Sequence, residues 1–168
     1  MHDQGHPIIL IGLGSNTAPE RWVPQALHRL RGPFPDLRVS TLYLTRPLGD
    51  PDQPPYVNGV LAAATALALP AVRAVLRAVE ADCGRVREPQ RRFAPRTMDL
   101  DLLAYGDRVE PAEDLPARDL LERDFCLVPA AEVEPDWVHP LEGRTLAALA
   151  RERFPTCPNI LGPAGVTL

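Results

Sequence analysis

Two amphipathic helical segments separate a series of strand-like segments, and this order restricts the fold more than any other feature of the chain. Apolar residues recur at helical spacing over 19–30 and again from residue 70 to a helix end near Gly84. A proline stands in the first turn of each segment, where a helix tolerates it. Runs of β-branched and aliphatic residues predict strands at 8–13, 37–44, 56–66 and 98–105. The predicted order is therefore strand, helix, strand, strand, helix, strand.

This order is typical of a ferredoxin-like α+β fold, in which helices cover an antiparallel sheet. We predict a βαββαβ sandwich of this kind with one helical layer. Additional short helical elements are expected at 125–133 and 146–153, packed at one end of the sandwich. The segment after Arg153 contains three prolines and is predicted to be irregular.

Length and composition are those of one globular domain. The 168 residues, of which 45% are hydrophobic, are expected to form a single domain over 1–168. A net charge of −4 and a pI near 5.5 argue against a general nucleic-acid or membrane-surface binder. The apolar stretch at 7–13 is too short for a signal peptide or a membrane span. The three cysteines lack C-x-x-C spacing and predict neither disulfides nor a zinc site. We therefore expect a monomer in the cytoplasm.

The segment Asp99-Leu100-Asp101 lies within a predicted strand. Residues two apart in a strand project to the same face, so the two carboxylates should lie side by side. A hard divalent cation such as Mg²⁺ would relieve their repulsion and would accept phosphate oxygens and waters as further ligands. An isolated D-x-D is as often a pair of solvated acids at a strand edge.

Five arginines are concentrated just before these aspartates. They are Arg85, Arg87, Arg91, Arg92 and Arg96, in a proline-interrupted segment that predicts a loop. Guanidinium groups form forked hydrogen bonds with phosphate oxygens. A solvated face or a nucleic-acid patch is the more common meaning of such a run by itself. Its proximity to the carboxylate pair favours a site for a metal-bound polyphosphate.

Two further features are weaker signals. The turn Gly12-Leu13-Gly14-Ser15-Asn16 matches neither glycine-rich phosphate fingerprint, so a turn that merely needs glycine is the simpler interpretation. The aromatic rings of Tyr56 and Phe125 could stack on a flat heterocycle, and the amide of Asn58 could pair with its edge. Taken singly, each of these residues is more often part of a core.

Six motifs, in order, closely resemble those of the 6-hydroxymethyl-7,8-dihydropterin pyrophosphokinases. They read GLGSN, TRPLG, QPPYVNG, GRVR, RRFAPRTMDLDLLAYG and RDFCLVP, over about residues 8 to 140. The resemblance implies transfer of pyrophosphate from ATP to 6-hydroxymethyl-7,8-dihydropterin in folate biosynthesis, giving AMP and the pterin diphosphate. It also implies the family's cofactor, Mg²⁺, with two ions expected at the metal-binding pair Asp99 and Asp101.

The resemblance also implies roles for individual residues. Arg85 and Arg96 are expected near the phosphates and, with the two aspartates, form the expected catalytic set. The positions expected to bind ATP are Glu80, Arg87, Arg91, Arg92 and Arg123. The positions expected to bind the pterin are Thr45, Pro47, Leu48, Tyr56, Asn58 and Phe125, with the ring between Tyr56 and Phe125. Small molecules, and no nucleic acid or membrane, are the expected partners.

The chain departs from the family where Pro-His is common near the nucleotide, because Ala117 and Arg118 follow Pro116. An imidazole contact is therefore missing, and Arg118 can replace its charge but not its geometry. Two alternatives follow from the residues. One is a non-catalytic pterin-binding protein, which the change at Ala117 would permit. The other is a ferredoxin-like RNA-binding module, against which the acidic pI and the 5% aromatic content argue.

Overall fold

The computed structural model describes residues 5–86 and 95–168. The described elements, in chain order, are β1 (Ile8–Ser15), α1 (Pro19–Leu30), β2 (Arg38–Val39), β3 (Tyr43–Thr45), β4 (Tyr56–Ala64), α2 (Leu69–Asp82), β5 (Asp99–Tyr105), α3 (Asp119–Glu122), α4 (Asp124–Val133), α5 (Leu146–Arg153) and β6 (Ile160–Pro163). A short 3₁₀ turn, Pro111–Glu113, lies between β5 and α3.

The two long helices form as their apolar spacing predicts. Helix α1 begins with a proline in its first turn and buries Val23, Ala26, Leu27 and Leu30. Helix α2 buries a matching stripe that includes Val72 and Leu76. Both stripes pack in one hydrophobic core with the side chains of Ile9, Ile11 and Leu13 from β1. Burial of these side chains holds the helices on one face of the sheet.

The strands form one antiparallel sheet in the order β5-β1-β4-β3-β6, with β2 also paired to β4. Without β6, this is the strand order of the predicted βαββαβ fold. The predicted fold class, α+β with an antiparallel sheet, is therefore confirmed. Strand β1 lies between β4 and β5, so these two strands flank its glycine-rich end.

The prediction of a single strand over 37–44 is wrong, because the structure has two separate strands there, β2 and β3. Val39 pairs with Leu61, whereas Tyr43 pairs with Asn58, so β4 has one residue fewer in this interval. The Ser40 hydroxyl accepts a hydrogen bond from the Val60 N–H at 2.9 Å. A side-chain bond of this kind replaces part of the ladder and accommodates the extra residue as a bulge.

The prediction of an irregular C-terminal segment is also wrong in part, because this segment contains β6, which adds a strand to the sheet. Leu44 of β3 pairs with Gly162, and Thr45 pairs with Ile160. Without β6, β3 would be an edge strand with unpaired backbone groups. Tertiary pairing thus supplies regular structure that the proline-rich sequence does not indicate.

The C-terminal helices cover the second face of the sheet, and the predictions of one helical layer and of packing at one end are wrong. Helices α3, α4 and α5 bury Leu120, Leu127 and Leu146 against Leu10 and Val60 of the sheet. Strands β1 and β4 are therefore apolar on both faces, so both faces need a helical cover. At one end of this second face, the helices and the sheet enclose a cleft.

Candidate active site

A cleft of about 440 Å³ lies between the sheet and helices α3 and α4. It contains seven of the residues predicted to bind substrate or metal: Leu48, Tyr56, Asn58, Arg96, Asp99, Asp101 and Phe125. These residues are far apart in the chain. The antiparallel sheet brings them together because the ends of β4 and β5 lie on either side of β1.

The two aspartates share the face of β5 that forms the cleft floor, as the strand alternation predicts. Asp99 is opposite Gly14 of β1 and Asp101 is opposite Gly12, whereas Leu100 between them is buried in the core on the other face. The absence of side chains at the two glycines leaves the space above β1 open. The carboxylates therefore face the cleft.

Both oxygens of the Asp99 carboxylate accept hydrogen bonds from arginines. Arg85 Nη1 donates to Oδ1 at 2.9 Å, and Arg96 Nη1 donates to Oδ2 at 2.8 Å. Arg85 is itself held by Glu80 Oε2 and by the Met98 carbonyl oxygen, each at 2.9 Å. The Arg85 side chain is 10% exposed, whereas Arg96 lines the cleft. Arg85 thus supports Asp99 from below, and Arg96 presents its guanidinium to a ligand.

Asp101 lies in a different environment from Asp99. Asp101 is exposed towards the cleft, but the surrounding protein limits the contact of its carboxylate with bulk water. This desolvation, with the negative charges of Asp99 and Glu80 nearby, raises the pKa of Asp101 to about 7. A cation bound here would counter the repulsion between these negative charges.

The aromatic end of the cleft is built around Asn58. Its Nδ2 donates to the hydroxyl of Thr45, which is fully buried, at 2.7 Å. Its Oδ1 lies above β1, where a Cβ on Gly14 would be only 2.8 Å away. The aromatic rings of Tyr56 and Phe125 line the same cleft. Burial raises the pKa of Tyr56, partly offset by Arg96, so its phenol stays neutral.

The structure places the remaining predicted residues as follows. Thr45 is behind Asn58, and Pro47 is not among the cleft residues although Leu48 is. Glu80 is buried under Arg85 and borders a second hollow of about 260 Å³ between α2 and β5. Arg123 lies before α4 with its Nε 3.5 Å from Asp119 Oδ1. The predicted ATP contacts Arg87, Arg91 and Arg92 lie outside the described residues.

Sequence reasoning missed several polar residues of the cleft. They are Arg46, Arg73, Glu113, Asp114, Asp119 and Cys126. Most belong to helices or loops that pack over the sheet from a distant part of the chain. Their positions depend on the second helical layer, for which no local pattern gives a signal.

Asn16 in the glycine-rich turn is a further residue whose role the sequence did not indicate. Its side chain is buried and donates from Nδ2 to Gln53 Oε1 at 3.1 Å and to the Pro54 carbonyl oxygen at 3.4 Å. Its Oδ1 accepts the Arg96 N–H. One amide therefore joins the end of β1, the proline-rich loop before β4 and the segment that carries Arg96.

The carboxylate pair fits a magnesium ion that is shared with a polyphosphate. Asp101 is exposed to the cleft, and the negative charges of Asp99 and Glu80 beside it would be offset by a bound cation. Within 5–86 and 95–168, no group of three or more His, Cys, Asp or Glu side chains could hold an ion by itself. The other ligands would have to be phosphate oxygens and waters, as is usual for Mg²⁺.

Fold and site together define a ferredoxin-like phosphotransferase. Residues 10–135 match the model of the family described as 7,8-dihydro-6-hydroxymethylpterin-pyrophosphokinase (HPPK). The chain belongs to this family. The resemblance stated from the motifs is therefore confirmed, and so is the expected class of enzyme, a diphosphotransferase of the pyrophosphokinase type.

Two relatives illustrate the likeness. The 2-amino-4-hydroxy-6-hydroxymethyldihydropteridine pyrophosphokinase of Synechocystis sp. is 37% identical over 154 residues, which cover 85% of this chain and 74% of the relative. The protein of the same name from Pseudomonas aeruginosa is 40% identical over 146 residues, which cover 84% of this chain and 88% of the relative. The similarity thus extends over most of both sequences.

Solved structures show the same fold at much lower identity. The crystal structure of wild-type Plasmodium falciparum HPPK-DHPS with SDX-DHP aligns with a TM-score of 0.61 at 13% identity, over 87% of this chain and 43% of that chain. The same protein with pterin and p-hydroxybenzoate aligns with a TM-score of 0.60 at 12% identity, over 90% and 44%. This chain therefore spans less than half the length of these structures, and the likeness supports the fold.

Proposed function

We propose that this protein transfers the pyrophosphoryl group of ATP to 6-hydroxymethyl-7,8-dihydropterin, a step of folate biosynthesis. The side chains that line one cleft are the main support for this function. Its two ends are a carboxylate pair with Arg96 and an aromatic pocket with Asn58. The first end suits a metal-bound polyphosphate, and the second suits a flat heterocycle with hydrogen-bonding edges.

In the reaction, the hydroxymethyl oxygen of the pterin attacks the β-phosphorus of ATP. A new oxygen–phosphorus bond forms, and the bond from that phosphorus to the oxygen bridging the α- and β-phosphates breaks. AMP leaves, and the hydroxyl proton passes to solvent. Because negative charge moves between oxygens around the attacked phosphorus, positioned cations contribute most to the rate.

Asp99 and Asp101 would hold magnesium, with two ions expected for the triphosphate. When bound, magnesium neutralises charge on the phosphate oxygens and on the leaving group. Arg96 lines the cleft beside the carboxylate pair and would turn from Asp99 towards a phosphate. Arg85 and Glu80 would keep Asp99 in place, since Arg85 joins both carboxylates.

The remaining nucleotide contacts are proposed from the family resemblance. They are Arg123 and the three loop arginines Arg87, Arg91 and Arg92. Ala117 lies in the cleft lining where the family commonly has an imidazole. We expect this position to contribute packing and no hydrogen bond to the nucleotide.

The pterin ring would lie between Tyr56 and Phe125. Because Asn58 donates its Nδ2 to Thr45, its carbonyl oxygen is oriented to accept a hydrogen bond from a ring N–H or amino group. Leu48 would cover the ring from the loop after β3. The site therefore offers stacking, one edge contact and an apolar cover.

The test is release of AMP from ATP and Mg²⁺, measured with and without 6-hydroxymethyl-7,8-dihydropterin and with EDTA. AMP formation should require the pterin and the metal. Asp99→Ala and Asp101→Ala should each abolish it while the far-ultraviolet circular dichroism stays that of the wild type. Asp107→Ala, an exposed acid outside the cleft, is the matched control and should keep full activity.

The outcomes separate the two alternatives raised by the sequence. Pterin binding by calorimetry without AMP formation would indicate a non-catalytic binder, and Ala117→His would then be the first variant to test. Binding of a single-stranded RNA in place of the pterin would indicate an RNA-binding module. Neither result is compatible with the proposed transfer.

The proposal includes the setting in which the enzyme acts. We expect one domain over residues 1–168 that works as a monomer in the cytoplasm, with small molecules as its partners. The free cysteines Cys83, Cys126 and Cys157 and the acidic net charge support this expectation. No helix in the described ranges has the length and apolar character needed to cross a bilayer.

A further inference from the structure

Asp124 is a fully buried carboxylate at the start of α4, next to the cleft aromatic Phe125. Its Oδ2 accepts the backbone N–H of Asn159 at 2.8 Å. Its Oδ1 accepts the Asn159 side-chain Nδ2 at 3.2 Å and the Phe125 N–H at 2.9 Å. Both oxygens are therefore directed at one residue of the C-terminal segment.

Asn159 continues this connection to the opposite wall of the cleft. Its carbonyl oxygen accepts the Arg46 N–H at 2.9 Å, and Arg46 Nε donates to the neighbouring Pro158 carbonyl oxygen at 3.2 Å. Arg46 and Leu48 line the cleft from the loop after β3. The C-terminal segment thus lies between the two walls and is bonded to both.

The start of a helix can be capped without a buried carboxylate such as that of Asp124. Burying a carboxylate is costly unless its oxygens are satisfied, whereas an uncharged cap or an apolar residue would carry no such penalty. Three N–H groups donate to the Asp124 carboxylate, and the two that lie outside α4 both belong to Asn159. Asp124 lies within the segment that matches the family model, and Asn159 lies beyond its end at residue 135.

We propose that Asp124 and Asn159 are positioning residues for pterin binding. Together they set the spacing between Phe125 on α4 and the Arg46–Leu48 wall. This inference rests on the proposed function, because it takes the pterin to lie against Phe125. Neither side chain touches the substrate, and the pair acts through the two walls.

The pair can be tested by exchanging its members. Asn159→Asp places a second carboxylate against Asp124, and Asp124→Asn directs amide hydrogens at the Asn159 donors. In the double variant, the amide oxygen at 124 accepts the backbone N–H of residue 159 and the Nδ2 at 124 donates to the carboxylate at 159, but the Phe125 N–H loses its acceptor. The double variant should therefore recover part of what each single change loses.

The measurements are kcat, the KM for pterin and the KM for ATP, with pterin affinity measured directly by calorimetry. Loss of a charge-assisted hydrogen bond should raise the pterin KM by about tenfold. The ATP KM should stay near the wild-type value, and the double variant should lie closer to the wild type than either single variant. Ile9→Val, which trims a buried side chain on the other face of the sheet, is the stability control. It should lower the melting temperature without changing the pterin KM.

Three results would overturn the inference. One is a lower melting temperature with an unchanged pterin KM, which would leave the pair a purely structural role. The second is an equal rise of both KM values. The third is a double variant that binds the pterin no better than either single variant. If the wild type releases no pterin-dependent AMP, the proposed function fails, and calorimetry with 6-hydroxymethyl-7,8-dihydropterin still decides whether the pair controls binding.

Discussion

Asn16 and Arg96 exchange two hydrogen bonds across the end of β1. The Arg96 N–H donates to Asn16 Oδ1 at 2.8 Å, and the Asn16 N–H donates to the Arg96 carbonyl oxygen at 3.0 Å. The same asparagine bonds the loop that contains Gln53. The backbone at Arg96 is therefore fixed to the sheet through the side chain and the backbone of one buried residue.

Replacing Asn16 with alanine should destabilise the fold. Asn16→Ala leaves the Arg96 N–H without its side-chain acceptor and should lower the free energy of unfolding by about 1–3 kcal/mol, measured by urea denaturation. Asn16→Asp is the matched variant, because a carboxylate oxygen still accepts that N–H while the donor to Gln53 is lost. Its second oxygen faces the Gln53 and Pro54 oxygens, so any stability it keeps over the alanine variant is a lower limit on the contribution of the bond to Arg96. An alanine variant as stable as the wild type would show that this contact contributes little.

Gly14 and Gly12 provide a matched pair of substitutions on the cleft floor. A Cβ at Gly14 would lie 2.8 Å from Asn58 Oδ1, whereas a Cβ at Gly12 would lie 3.5 Å from Leu103, an ordinary contact. Gly14→Ala should therefore displace the Asn58 amide and raise the KM for pterin severalfold. Gly12→Ala should cause a much smaller change. Similar KM values for the two variants would contradict the assigned place of Asn58.

The raised pKa of Asp101 predicts an effect on stability in the absence of metal. Its pKa is about 7 in the folded protein, against an ordinary value of 3.8. Between these values the folded state binds more protons than the unfolded state, so this group lowers stability as the pH rises from 3.8 to about 7. With EDTA present, Asp101→Asn should unfold at a higher urea concentration than the wild type near pH 8, and its advantage should shrink towards pH 4. A variant that is less stable than the wild type near pH 8 would contradict this cause.

The same pKa predicts how magnesium binding depends on pH. Because the cation needs the ionised carboxylate, Mg²⁺ should bind with a non-hydrolysable ATP analogue more tightly as the pH rises through about 7. Below that pH, binding should release a proton, which calorimetry detects as a heat that changes with the ionisation enthalpy of the buffer. Asp101→Asn should release fewer protons than the wild type, the remainder coming from the terminal phosphate of the analogue, which titrates in the same pH range. A pH-independent affinity in the wild type would argue against Asp101 as a ligand.

Much of the fold could be predicted from local sequence patterns. The helical spacing in 19–30 coincides with α1, and the apolar run at 56–66 corresponds to β4, which ends at Ala64. Such patterns report a segment's own geometry and which of its faces is apolar. They do not report which distant segment covers that face, so the second helical layer and β6 were missed.

The candidate site, too, was predictable from the sequence only in part. Asp99 and Asp101 share a face because strand side chains alternate, and Arg96 is near them because only two residues intervene before Asp99. The Tyr56–Phe125 pocket was expected from the family resemblance, and the sheet and α4 place both residues in one cleft. The partners of Asn16 and Asp124 were not predicted, since each pairs with residues more than 30 positions away.

The sequence by itself determined the βαββαβ order of the core elements, the carboxylate pair with its nearby arginines, and the family, because each depends on spacing along the chain. The tertiary structure alone decided that the C-terminal segment becomes a strand, that Asp124 bonds Asn159, and that Asn16 joins two loops. The physical reason is that hydrogen bonds and burial are satisfied in three dimensions. A buried amide or carboxylate takes its partner from whichever segment the sheet topology brings near.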